Sequence, residues 1–176
     1  YTVLCNMNKG YKTEKANTMD SVIVRTSLVT LAAVAGFLAL LLLVLPFAAP
    51  SFCGRAMKSL GNDAAATHFY EIAYERHSDE RRLSDYIETA YGAKKYDKVS
   101  SLGDDVFNFK DKLSAENFDI FATYVVESKY NSDDKRGSAE YAVKAGGMAL
   151  SFAEVTYRGD DEYIGFIDFY KNEKNS

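Results

Sequence analysis

Proline is nearly absent from this chain. It occurs twice, as Pro46 and Pro50, and both lie at one place. Long proline-free stretches favour helices, because proline removes a backbone donor and clashes with the preceding turn. Cysteine also occurs twice, as Cys5 and Cys53, one on each side of a long apolar run. If that run crosses a bilayer, the two cannot pair within one chain. The only histidines are His68 and His77. Tryptophan is missing, yet 13 Tyr and 11 Phe make the chain 14% aromatic beside 26% charged residues. Such a composition can bury a core, which argues against global disorder. There is no basic excess either. A net charge of −4 gives no support for a nucleic-acid partner, which calls for a basic surface. The 176 residues suit one ordinary domain plus an appendage. The first residue is Tyr1 rather than Met, which reads as a fragment or a processed product.

What is present begins with "TSLVTLAAVAGFLALLLLVLPFAAP". No charged residue lies between Thr26 and Cys53, and from Leu28 to Ala49 only Thr30 interrupts the apolar run. At ~1.5 Å per residue a helix of this length covers the ~30 Å hydrocarbon core of a bilayer. Inside lipid the backbone must satisfy its own hydrogen bonds, so the span must be helical. The expected membrane helix is 26–50, with Leu28, Ala32, Gly36, Leu40, Leu43 and Pro46 in the span and the two prolines where the helix can stop. Two other readings fit this run less well. A buried core helix this long and apolar all round is unusual in a domain of this size. A cleavable signal normally has an apolar region of only ~7–15 residues, and "FAAPSFCG" fits neither a clean cleavage site nor a lipid-modified Cys53.

Residues 1–25 read as a polar, flexible, basic arm. Lys9, Lys12, Lys15 and Arg25 precede the span, against Arg55 and Lys58 just after it. That bias favours a cytoplasmic N-terminus and an extracytoplasmic C-terminal part of a single-pass cell-membrane protein. After residue 50 lie 17 of the 21 basic and 23 of the 25 acidic residues, which leaves that part six charges negative. The arm's lysines set topology and could also touch anionic lipid. Cys5 is open to a reading as the last ligand of a zinc ribbon whose other ligands lie upstream. Cys53 reads as a buried thiol, with an intermolecular disulfide as the alternative.

From Ser51 onward the apolar residues recur at helical spacing. "DAAATHFYEIAYERH" opens on Asn62 and Asp63, good N-caps, and carries Ala65, Phe69, Ile72, Ala73 and Tyr74. Leu83, Tyr86, Ile87, Ala90 and Tyr91 follow, then Tyr96, Val99, Leu102, Val106 and Phe107 as one helix. Phe118, Phe121, Ala122, Val125 and Val126 define the next. A Ser132/Asp133 cap leads to Ala139, Ala142 and Val143. The segment 148–176 reads as two helices broken at Gly159, with a β-hairpin turning at "RGDD" as the alternative. The fold class expected is all-α.

The second helices of successive pairs start near Asp63, Asp97, Asp133 and Asp161, at intervals of 34, 36 and 28 residues. In "ETAYGAKKYDKVSSLGDDVF", Tyr91 closes one helix, "GAKK" turns, and Tyr96-Asp97-Lys98 opens the next. A period near ~34 marks tetratricopeptide-type arrays. "AYGAKKYDKV" and "YRGDDEYI" resemble the turn of such repeats over roughly Ser51 to Lys174. The resemblance implies an α-solenoid of about three to four helix–turn–helix units filling 51–176. It also implies a non-enzymatic scaffold whose first helices line a partner-binding surface. Those helices would offer Asp85, Tyr86, Glu88 and Thr89, then Asn117, Asp119, Thr123, Tyr124 and Glu127. Tyrosines and acids together favour a basic or amphipathic protein or peptide. The bland alternative is that the tyrosines pack between helices and the acids solvate the surface.

No catalytic constellation emerges, and no cofactor is expected. His68, Glu71 and Glu75 share a helix face but give too few ligands for a metal. His77 with Glu80 repeats the spacing, and His77 is more simply a residue at a helix C-terminus, where it favours the dipole. "SSLGDD" lacks the strand–turn–helix setting of a nucleophile elbow, and "KAGGMA" lacks the ending of a phosphate loop. Asp104/Asp105, Asp133/Asp134 and Asp160/Asp161 lack a calcium-loop pattern and read as helix caps. Two function classes remain. One is a membrane-tethered interaction scaffold. The other is an assembly subunit that associates through its span, where Ala32 and Gly36 form a small-xxx-small pair.

Overall fold

The computed structural model describes the backbone of residues 2–174 and the side chains from Val22 to Lys174. The chain forms two compact units, one up to Ala48 and one from Ala49 onward. Among the described residues every regular element is a helix and there is no strand.

The first unit is a single helix, α1, Thr2–Ala48. The arm expected to be flexible is therefore helical backbone, continuous with the apolar run and unbroken at residue 25. The physical reason is cooperativity: once the apolar run is helical, adding Lys, Glu, Ala and Met residues needs propagation without a new nucleus. The expectations for Cys5 and for the arm's lysines lie outside the described side chains. Val22–Ala48 is 27 residues long, or about 40 Å. It is long and apolar enough to cross a membrane. Leu28, Ala32, Gly36, Leu40 and Leu43 are all exposed, as is nearly every residue between Val22 and Val44. Pro46 lies within the last turn of α1, and the helix stops two residues later. Pro50 ends nothing. It opens the next helix at its first position, where a missing N–H costs least.

Among the described residues the second unit contains nine helices. These are α2 (Pro50–Ser59), α3 (Asp63–Arg76), α4 (Glu80–Gly92), α5 (Tyr96–Ser101), α6 (Gly103–Asn108), α7 (Ala115–Asn131), α8 (Lys135–Ala145), α9 (Gly147–Thr156) and α10 (Asp161–Lys174). Packing follows chain order: α2 on α3, α3 on α4, α4 on α5, α5 and α6 on α7, then α7 and α8 with α9, and α8 with α10. The β-hairpin alternative for 148–176 is overturned, since α9 and α10 occupy that segment.

Three of the connections have one construction. α2–α3, α4–α5 and α7–α8 are each joined by three residues, and the middle residue is left-handed: Gly61 at φ 72°, Lys94 at φ 55° and Asp133 at φ 66°. In each, the next backbone N–H reaches back five residues to close the helix end. Asn62 N donates to Met57 O, Lys95 N to Ala90 O and Asp134 N to Lys129 O, all at 2.9 Å. This is the 6→1 bond of a Schellman ending. Gly61 takes the conformation without a Cβ penalty, whereas Lys94 and Asp133 hold it against one. The residue after the left-handed one is the N-cap of the following helix. Asn62 accepts from Ala65 N, and Asp134 from Gly137 N. The cap expected at Ser132/Asp133 is thus corrected to Asp134, since Ser132 and Asp133 are used up in closing α7.

The core runs through all these helices. Leu83, Ile87, Val99, Val106, Phe121, Val125, Val126 and Tyr163 are essentially inaccessible. The expected faces of α4, α7 and α8 match the buried residues. Two places differ. The buried face of α3 is Ala66, Thr67, Tyr70, Ala73 and Tyr74, rotated from the expected one. Tyr70 is drawn in because its ring lies on Gly54 of α2, where even a Cβ would come within 2.9 Å of it. Residues 96–107 are not one helix but two short ones meeting at Leu102. Gly103 sits there under the ring of Tyr141, whose hydroxyl donates to the Gly103 carbonyl at 2.9 Å.

Candidate functional site

The residues expected to face a partner lie on α4 and α7, and the structure divides them. Tyr86 and Thr89 are buried, at 4% and 1% exposure, so they cannot face a partner. They belong to the inward stripe of α4 with Leu83, Ile87 and Ala90. Glu88 is exposed and pairs with Lys58 of α2 at 3.5 Å. Tyr124 stacks on Tyr91, with ring centroids 3.8 Å apart. The Tyr91 hydroxyl donates to Glu127. Asp119 lies beside Gly147, close enough that a Cβ there would meet its carboxylate at 3.2 Å. Thr123 donates its hydroxyl back to the Asp119 carbonyl. Asp85 is half-buried and Asn117 is exposed.

Three of the expected residues thus join one first helix to the next: Glu88 joins α4 to α2 through Lys58, and Tyr124 and Glu127 join α7 to α4 through Tyr91. The second aromatic seam was not anticipated. Tyr130 of α7 stacks on Tyr157 at 3.7 Å, and Tyr163 of α10 stands edge-on to both. Burial pushes the Tyr91 and Tyr157 hydroxyls well above their ordinary range and Tyr163 up to about 12. All three remain neutral donors near neutral pH. The signal available in the sequence was the density of tyrosine near 91–96, 124–130 and 157–163.

Asp160 fastens this seam. Its carboxylate accepts from the Lys135 ammonium at 2.8 Å, the Tyr130 hydroxyl at 2.7 Å and the Tyr163 backbone N–H at 3.2 Å. One side chain therefore caps α10 and ties it to α7 and α8. These three donors, Lys135 first, hold its pKa down at about 2, against 3.8 for a free carboxyl. The sign follows from linkage. A carboxylate with a depressed folded pKa stabilises the fold above the unfolded value, and that contribution is lost as pH falls through the folded one. Thermal unfolding followed from pH 5 to pH 2 should show wild type well above Asp160→Asn at the start. The gap should close toward pH 2. A gap that stays constant would mean that the Asp160 charge does not stabilise the fold.

The histidines do not assemble a site. Glu71, the expected partner of His68, is engaged by Lys98 of α5, and His77 is the C-cap residue of α3. The three acidic pairs stand at helix starts: Asp104 and Asp105 open α6, and Asp134 and Asp160 cap α8 and α10. Cys53 is buried in α2, at 7% exposure, which places its thiol out of reach of an intermolecular partner. A polar groove of about 340 Å³ is lined by Ser51, Arg55, Asp79, Arg81, Arg82 and Asp85, and another of about the same volume is lined by Ser100, Asp104, Lys129, Glu140 and Lys144 among others. No protein-family model, no curated protein and no solved structure matches this chain.

Proposed function

We propose that the chain is a single-pass, membrane-anchored, non-enzymatic scaffold whose tetratricopeptide-like solenoid presents a surface to a protein or peptide partner. The observation that supports it best is the recurrence of one hairpin: three connections with the same length, the same left-handed middle residue and the same 2.9 Å closing bond. Helix pairs built alike, each unable to bury its own apolar face, stack on their neighbours and create an extended binding surface. Beside them the chain carries a long apolar helix that is exposed and needs a covering solvent of its own kind. The lysine and arginine bias favours a cytoplasmic N-terminus with 51–176 outside. The partner is basic or amphipathic, as the excess of six negative charges in that part favours.

The alternative is an assembly subunit that associates through its span. Gly36 has nothing within 4 Å of where a Cβ would lie, so with Ala32 it leaves room for a close helix crossing. Pull-downs from solubilised membranes with the full chain and with residues 51–176 separate the two. A scaffold captures the same partner with both. Capture that requires residues 1–50 overturns the scaffold and supports the assembly subunit.

A further inference from the structure

We infer that the groove between the start of α2 and the start of α4 takes the phosphate of an anionic phospholipid headgroup. The inference rests on the membrane-anchored reading above. Three arginines, Arg55, Arg81 and Arg82, line one cavity of about 340 Å³ with Ser51. Their acidic neighbours are unequal. Asp79 is occupied twice, as N-cap acceptor from Arg82 N at 2.8 Å and as ion-pair partner of the Arg82 guanidinium. Arg55 and Arg81 are exposed and have no ion pair among the described residues. The one acid left to oppose them is Asp85, so the groove keeps an excess positive charge. Guanidinium forks match phosphate oxygens bidentately and are weakly hydrated, which suits them to this ligand.

The source of the phosphate follows from chain length. Arg55 comes seven residues after Ala48, the last residue of the apolar helix, and most of that stretch is helical. At most about 15 Å of chain separates the two, whatever the angle between them. A bilayer is ~40–45 Å thick with its polar layers against a ~30 Å core, so the headgroups lie within reach. Phe52, one turn before Arg55, leaves 55% of its surface exposed. An exposed ring beside a guanidinium suits the headgroup boundary, where an apolar body can enter lipid while the charged end stays in the polar layer.

The test uses the full chain in detergent, titrated with phosphatidylglycerol or phosphatidylcholine and read by native mass spectrometry. The wild type should retain phosphatidylglycerol with about tenfold preference, the size expected of one to two basic residues acting on an anionic lipid. Arg55→Gln with Arg81→Gln should abolish the preference without loss of helicity, since both side chains are exposed. Asp85→Asn should increase it, an effect that no merely structural role predicts. Equal retention of the two lipids by wild type, or a preference unmoved in the double variant, overturns the inference. Equal competition by inorganic phosphate would assign the groove to free phosphate and overturn it too. Alkaline carbonate separates the two levels. A chain that stays in the membrane pellet but shows no lipid preference fails only this inference, whereas a chain released from the pellet fails the anchored reading on which it rests.

Discussion

Phe121→Ala is expected to destabilise the helical unit by about 3–5 kcal/mol, the range for deleting a buried aromatic ring. Phe121 is 1% exposed. It sits on α7, the helix that packs against α4, α5, α6, α8 and α9. A cavity there is felt by these neighbours, because a close-packed interior relaxes only partly. Leu102→Ala, at the α5–α6 junction and 5% exposed, should cost about 2–5 kcal/mol. Lys95→Ala is the control. Lys95 is exposed in the α4–α5 turn, and its change should stay within about 0.5 kcal/mol. Urea unfolding followed by the helical circular dichroism signal measures all three. If Phe121→Ala or Leu102→Ala behaves like Lys95→Ala, the continuous core through α5, α6 and α7 is wrong.

The second large effect concerns the span. Alkaline carbonate should leave the chain in the membrane pellet. Arg in place of Leu38 and Leu41 together should shift it toward the supernatant, since each buried guanidinium costs about 2.5–3.5 kcal/mol at the centre of a membrane helix. Both leucines are exposed on α1, so the loss cannot be traced to a packed core. Sidedness is read in the same membranes. Ser132 is exposed in the α7–α8 turn, and Ser132→Cys should react with a membrane-impermeant reagent on intact cells. Cys53 is buried and should contribute little background. Protection of the new cysteine would reverse the topology. Release of the wild type by carbonate would remove the anchor altogether.

Much of the helical layout was legible because the relevant forces are local. The uncharged run from Thr26 marks the apolar helix, Asn62 marks the start of α3, and the spacing of Phe118, Phe121, Val125 and Val126 marks the inward face of α7. What stayed hidden depends on tertiary contact. Nothing near Gly54 says that the Tyr70 ring will lie on it and turn the α3 face. Nothing near Gly103 says that Tyr141, 38 residues on, will bond its carbonyl where two short helices meet. The expected partner surface fared unevenly for the same reason. Helical spacing places Tyr86 and Thr89 on α4, but Leu83 and Ile87 decide which side of α4 faces in. Tyr124 and Glu127 lie on α7, where Tyr91 occupies them both. The left-handed turns at Lys94 and Asp133 were the least readable, because neither residue type advertises that conformation as glycine does.

Those three turns also bear on how quickly the fold can be reached. A connection of three residues brings two helices together at almost no cost in chain freedom, so each hairpin can close before any distant segment arrives. Contacts between successive hairpins again join segments near in sequence, which is the regime of rapid folding. Assembly can then begin at Gly61, at Lys94 or at Asp133 and spread to either side. No single late closure sets the rate, and lengthening such a chain by whole hairpins would leave its folding time governed by the turn.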